Sequence, residues 1–121
     1  MISTLLSLAC VAPVVFVQLE EWPTFDKLDR GVYLNETIYI DIDDEDPDMV
    51  WRHECGHHIF DTLTIRERRA LRRIFGHRPY ITRYAEIGGS EEAFAESIAN
   101  YDLLPHDRRW FFIRRVLNKY N

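Results

Sequence analysis

Residues 53–57 read His53-Glu54-Cys55-Gly56-His57, and this pentapeptide constrains the fold more tightly than any other stretch of the chain. Two histidines four apart fall on one face of a helix, with Cβ atoms about 5–6 Å apart. At that spacing both imidazoles reach one zinc ion, with Zn–N bonds of about 2.0–2.1 Å. Glu54 lies a little round the same face. It is too close to His53 to ligate beside it, but it is placed to take a proton from water at the metal. The motif thus supplies two ligands and a general base, provided that a helix carries it and a third ligand arrives from elsewhere. The plain alternative is a solvated helical turn with two incidental histidines.

The flanking residues predict that helix. Asp46 can cap its N-terminus and Pro47 suits its first position, so a helix is expected from Pro47 to about Asp61. Upstream, Ile2 to Val11 reads as a short helix stopped by Pro13. The β-branched run from Val14 to Leu19 has strand length. Val32-Tyr33-Leu34 and the alternating Thr37–Ile42 read as two further strands joined by a tight turn at Asn35-Glu36. Ile38, Ile40 and Ile42 are expected to face the core. Downstream, Thr64-Ile65-Arg66-Glu67 is a capping box opening a helix to about Phe75. Gly76 to Gly89 reads as a loop. Ser90 can cap a helix running to about Leu103, and a last amphipathic helix spans about Asp107 to Lys119. The expected architecture is one α+β domain over residues 1–121: a three-stranded sheet, an N-terminal helix and a helical C-terminal half that carries the metal site.

A chain of 121 residues with 46% hydrophobic and 29% charged residues can fold around its own core. Its net charge of −5 gives no broad basic surface, so neither nucleic acid nor membrane is an expected partner, and a monomer is expected. The acids at 41–46 read as a solvated loop whose last member caps the motif helix. Cys10 and Cys55 form no C-x-x-C pattern. Cys55 faces away from both histidines and reads as a packed small residue, without a disulfide. A reducing, cytoplasmic setting is therefore expected. The apolar N-terminus lacks a basic residue before Lys27, and export would require an atypical signal.

A catalytic zinc site takes three protein ligands and leaves one position open. His58, Asp61, His77, His106 and the acids of the helix after Ser90 are the downstream candidates. His58 points about 100° from its neighbour along the helix and is a poor ligand. Asp61 can hydrogen-bond the outer nitrogen of a nearby imidazole. Glu92 and Glu96 fit best: they share one helix face, amid Phe94, Ile98 and small alanines suited to packing on the motif helix. One carboxylate would ligate and the other would support an imidazole from behind. Glu91 is given no such part.

Taken together, His53-Glu54-Cys55-Gly56-His57-His58-Ile59-Phe60-Asp61, Tyr84-Ala85 and Glu92-Ala93-Phe94-Ala95-Glu96 resemble the lethal factor-like zinc peptidases of the gluzincin clan, including the single-domain minigluzincins. The resemblance runs from about Val32 to Tyr101. It implies a zinc-dependent endopeptidase with one zinc ion, a peptide or protein substrate, Glu92 as third ligand and Glu96 behind His53. It also implies Tyr84 as oxyanion donor, although the Tyr84-to-Glu92 spacing is one residue longer than the pattern, and Tyr80 and Tyr101 remain alternatives. The strand Thr37–Ile42, with Ile38, Tyr39 and Ile40, is expected to be the edge along which substrate lies. Two other functions stay open: a repressor-cleaving regulatory peptidase of a mobile element, suggested by Leu103-Leu104-Pro105, and a non-catalytic zinc or peptide-binding module.

Overall fold

A computed structural model describes residues 2–19, 30–76 and 83–120, with side chains for 4–19, 30–76 and 89–120. The architecture is α+β, with five helices and a small mixed sheet among the described residues. In chain order the elements are α1 (Ile2–Ala9), β1 (Val14–Val17), β2 (Gly31–Leu34), β3 (Thr37–Asp41), α2 (Pro47–Thr62), α3 (Ile65–Phe75), α4 (Arg83–Ala99), a 3-10 turn (Tyr101–Leu103) and α5 (Arg108–Asn118). Among the described residues no helix is long and apolar enough to cross a membrane.

The strands order β1-β3-β2. The hairpin is antiparallel as expected, with Tyr33 opposite Ile38 and Gly31 opposite Ile40. Asn35 and Glu36 both adopt positive φ, at 51° and 61°, the left-handed pair that a two-residue turn needs to match the twist of its strands. One expectation is overturned. β3, with Ile38, Tyr39 and Ile40, is the central strand and not an edge: β1 lies parallel along its other side, Val14 against Ile38 and Phe16 against Ile40. Ile38 N–H donates to Pro13 O at 2.9 Å and Ile42 N–H to Val17 O at 2.8 Å, so the backbone groups of β3 are engaged on both sides. Ile38 and Ile40 are buried as read, but Ile42 lies beyond the strand end and is exposed.

The helix starts follow the local chemistry. Asp46 Oδ1 accepts from Met49 N–H at 3.2 Å, with Pro47 in the first turn of α2. Thr64 and Glu67 form the reciprocal capping box of α3. α4 begins earlier than expected, at Arg83, and carries a break at Gly89, where φ is 84° and ψ −165°. Only glycine adopts that conformation readily, and no atom lies within 4 Å of a Cβ built there; backbone freedom, not space, is what the position requires.

A second correction concerns the cysteines. Cys10, just past α1, and Cys55, in the middle of α2, form a disulfide across 45 positions of sequence. Both are buried. The bond ties the N-terminal segment to the motif helix. In the chain-entropy treatment a cross-link of this span constrains the unfolded chain by about 4 kcal/mol.

The core lies between the sheet, α2, α4 and α5. Ile38, Ile40, Ile59, Phe94, Ile98 and Ile113 are each no more than 1% exposed. Phe75, Phe94 and Phe112 meet edge to face with centroids 5.5–6.0 Å apart, and so join α3, α4 and α5. α2 and α4 pack closely against each other. A Cβ on Gly56 would lie 2.6 Å from Ala95 Cα and 2.9 Å from its Cβ. Glycine on one helix and alanine on the other let the two backbones close to a distance that larger side chains forbid.

Gly56→Ala therefore has two opposed effects. It gains up to about 1 kcal/mol of intrinsic helix propensity. It also forces α4 outward, and overpacking of this kind costs about 1–3 kcal/mol. Because the obstruction is backbone, the steric term is expected to win, and chemical denaturation should show a net loss of stability. An equal or higher midpoint would contradict the close crossing.

Candidate metal centre

α2 and α4 run antiparallel, so one turn of each faces one turn of the other. His53 and His57 project from α2 into this contact, and their Nε2 atoms lie 3.3 Å apart. From α4, Glu92 spans both rings, with Oε2 3.1 Å from His53 Nε2 and Oε1 2.9 Å from His57 Nε2. One ligand atom from each of His53, His57 and Glu92 lies within 4.8 Å of the others. Tetrahedral coordination with bonds of about 2.0–2.1 Å implies ligand–ligand edges of about 3.3 Å. The donor atoms of the cluster already stand close to that separation.

Both imidazoles are also held from outside. Glu96 Oε1 lies 2.7 Å from His53 Nδ1, where the resemblance placed it. Glu91 Oε2 lies 2.7 Å from His57 Nδ1. A carboxylate at Nδ1 fixes that nitrogen as a donor and turns Nε2 inward. Two inward nitrogens and a carboxylate at such short range demand positive charge between them. Two protons can supply it, and so can one divalent cation.

The acid–base balance shows how strong that demand is. Burial opposes charge on His53, yet hydrogen bonds to Glu92 and Glu96 and the field of Glu54 carry its pKa up to about 9. Burial likewise opposes charge on His57, and Glu91, Glu92 and Glu54 carry it up to about 10. Burial works against ionised Glu92 as well, but the two imidazoles hold its carboxyl down to about 2. Glu54 is 5% exposed, and its charge is felt at both rings. Gly31 of β2 presses against it: a Cβ there would lie 3.3 Å from Glu54 Cγ and would collide with Val50. Glycine thus lets β2 lie flat on the motif helix beside Glu54.

The other candidates fall elsewhere. His58 Nδ1 is 3.0 Å from Tyr33 Oη, on the side of α2 that meets β2. Asp61, read as a support for a site imidazole, is exposed. It acts on Tyr33 instead: burial and then the Asp61 carboxylate push that phenol up to about 12. The outer nitrogens of His53 and His57 are taken by Glu96 and Glu91, which leaves Asp61 no place behind either ring. His106 stacks on Trp110 at 4.2 Å, and Tyr101 is buried against the same indole. Tyr84 lies in the first turn of α4, but its side chain falls outside the described residues, as do His77 and Tyr80 entirely. No protein-family model matches the chain, and no curated protein or solved structure is significantly similar to it.

The raised histidine pKa values have a definite sign. Stability contributed by these protons is fully present below the unfolded value of about 6.5, and it is lost as pH rises through the folded values of about 9 and 10. Metal-free protein should lose thermal stability between about pH 6.5 and 10, while zinc-loaded protein, whose ligands bind deprotonated, should hold its midpoint over the same range. Thermal melts of both forms across that window check this. A metal-free profile as flat as the loaded one would contradict it.

Proposed function

We propose that this chain is a small zinc-dependent endopeptidase. The observation that supports the reading is the close approach of His53 Nε2, His57 Nε2 and the Glu92 carboxylate to one another, with buried Glu54 between the two histidines in sequence. A site that served structure alone has no use for such a base and closes its fourth position. A bound divalent metal supplies the Lewis acidity that polarises the scissile carbonyl and acidifies water.

The chain's own residues do the rest. Glu54 accepts a proton from the attacking water and delivers it to the departing amine. Tyr84 is our candidate for stabilising the oxyanion, by resemblance. The substrate is a peptide or protein segment in extended form. β2, and not β3, is the edge that suits it: among the described residues β2 pairs with β3 alone, and its Gly31 abuts Glu54. A strand added along β2 would bring its carbonyls past the base. The Cys10–Cys55 disulfide favours an oxidising compartment over the cytoplasm, because such bonds persist where thiols are not kept reduced.

Cleavage-site profiling of zinc-loaded protein against a broad peptide library, paired with metal analysis, tests this reading. Wild type should cut. Glu54→Gln should retain its zinc and lose cleavage by a factor of about 10²–10⁴. Undiminished turnover by Glu54→Gln would contradict the assignment of the base. Zinc retained by a wild type that cuts nothing would favour a non-catalytic binding module instead.

A further inference from the structure

The two imidazoles are supported by carboxylates in unlike surroundings. The side chain of Glu96, behind His53, is 17% exposed. That of Glu91, behind His57, is 42% exposed. One helix delivers both supports. Residues 91 and 96 are five apart on α4, a rise of about 7.5 Å, and they bracket two histidines four apart on α2, a rise of about 6 Å. Glu92 sits between the brackets. Glu91 and Glu92 are neighbours, yet they serve different nitrogens of the same ring, Nδ1 and Nε2. They approach His57 from two sides because successive residues diverge by about 100° around a helix. The break at Gly89 restarts the helix two residues before Glu91, so both acids fall in a first helical turn, where negative charge is favoured.

We infer that Glu91 is a positioning residue for His57, holding Nε2 toward the cluster and thereby setting how tightly the chain retains a divalent metal. This rests on the metal-centre reading above. Among the described residues Glu91 is the one partner of His57 Nδ1. Without it the contact that fixes the ring from its outer side is lost, and His57 is held at Nε2 alone. Of the two supports this is the more exposed, so the hold on His57 is the more open of the two.

Zinc affinity, measured by competition with a chromophoric chelator, and the visible absorption of the cobalt-substituted protein test the inference. The proteins compared are wild type, Glu91→Ala and Glu91→Gln. Glutamine keeps an oxygen that accepts from Nδ1–H but carries no charge. Glu91→Ala should bind zinc about 10–100-fold more weakly and alter the cobalt spectrum. Glu91→Gln should recover most of the affinity and the wild-type spectrum. Wild-type affinity in Glu91→Ala would overturn the inference and leave the metal centre standing. So would equal losses in both variants, because charge alone would then account for them. A wild type that retains neither metal would remove the metal centre and the inference with it.

Discussion

The close crossing of α2 and α4 is the constraint on which the rest of the structure depends. Gly56 and Ala95 remove the side-chain volume that would keep the two backbones apart. Only at that distance can short carboxylate side chains on α4 reach imidazoles on α2 from both ends, with Glu92 at the inner nitrogens and Glu91 and Glu96 at the outer ones. Burial of Phe94 and Ile98 on the same helix supplies the apolar surface that offsets bringing so many charged groups together. Gly56 lies inside the histidine motif itself, so one pentapeptide holds both clustered imidazoles, the buried Glu54 and the gap that admits the partner helix.

Much of this was legible in the sequence because it is local. A proline after an aspartate, a capping box and a four-residue histidine spacing each act within a turn or two of helix, and α2 and α3 begin where those signals put them. Glu92 and Glu96 were legible for a related reason: acids at helical spacing among alanines and phenylalanine have few places to go but a polar site in the core. Glu91 was not. It neighbours Glu92 in sequence, so simple helix periodicity turns it away, and its place behind His57 depends on where α4 restarts after Gly89.

What the sequence did not disclose is long-range. The hairpin of β2 and β3 can be read from a tight turn, but the parallel pairing of β1 with β3 joins segments with no such local mark. An alternating strand with one visible partner looks like an edge until its second partner is found. The disulfide is of the same kind. Two cysteines 45 positions apart carry no spacing rule, and only the packing of α1 beside α2 brings them together. Asp61 illustrates the converse error: a residue four from a histidine on a helix can just as well serve the neighbouring strand, as its influence on Tyr33 shows.

The account comes down to whether His53, His57 and Glu92 converge on one metal ion. Anomalous diffraction from zinc-loaded crystals, recorded on both sides of the zinc absorption edge, measures this directly. The account predicts one strong edge-specific peak, at about 2.0–2.2 Å from His53 Nε2, His57 Nε2 and a Glu92 carboxylate oxygen. A peak bound elsewhere, or no peak at this cluster with the three side chains ordered as described, would contradict it.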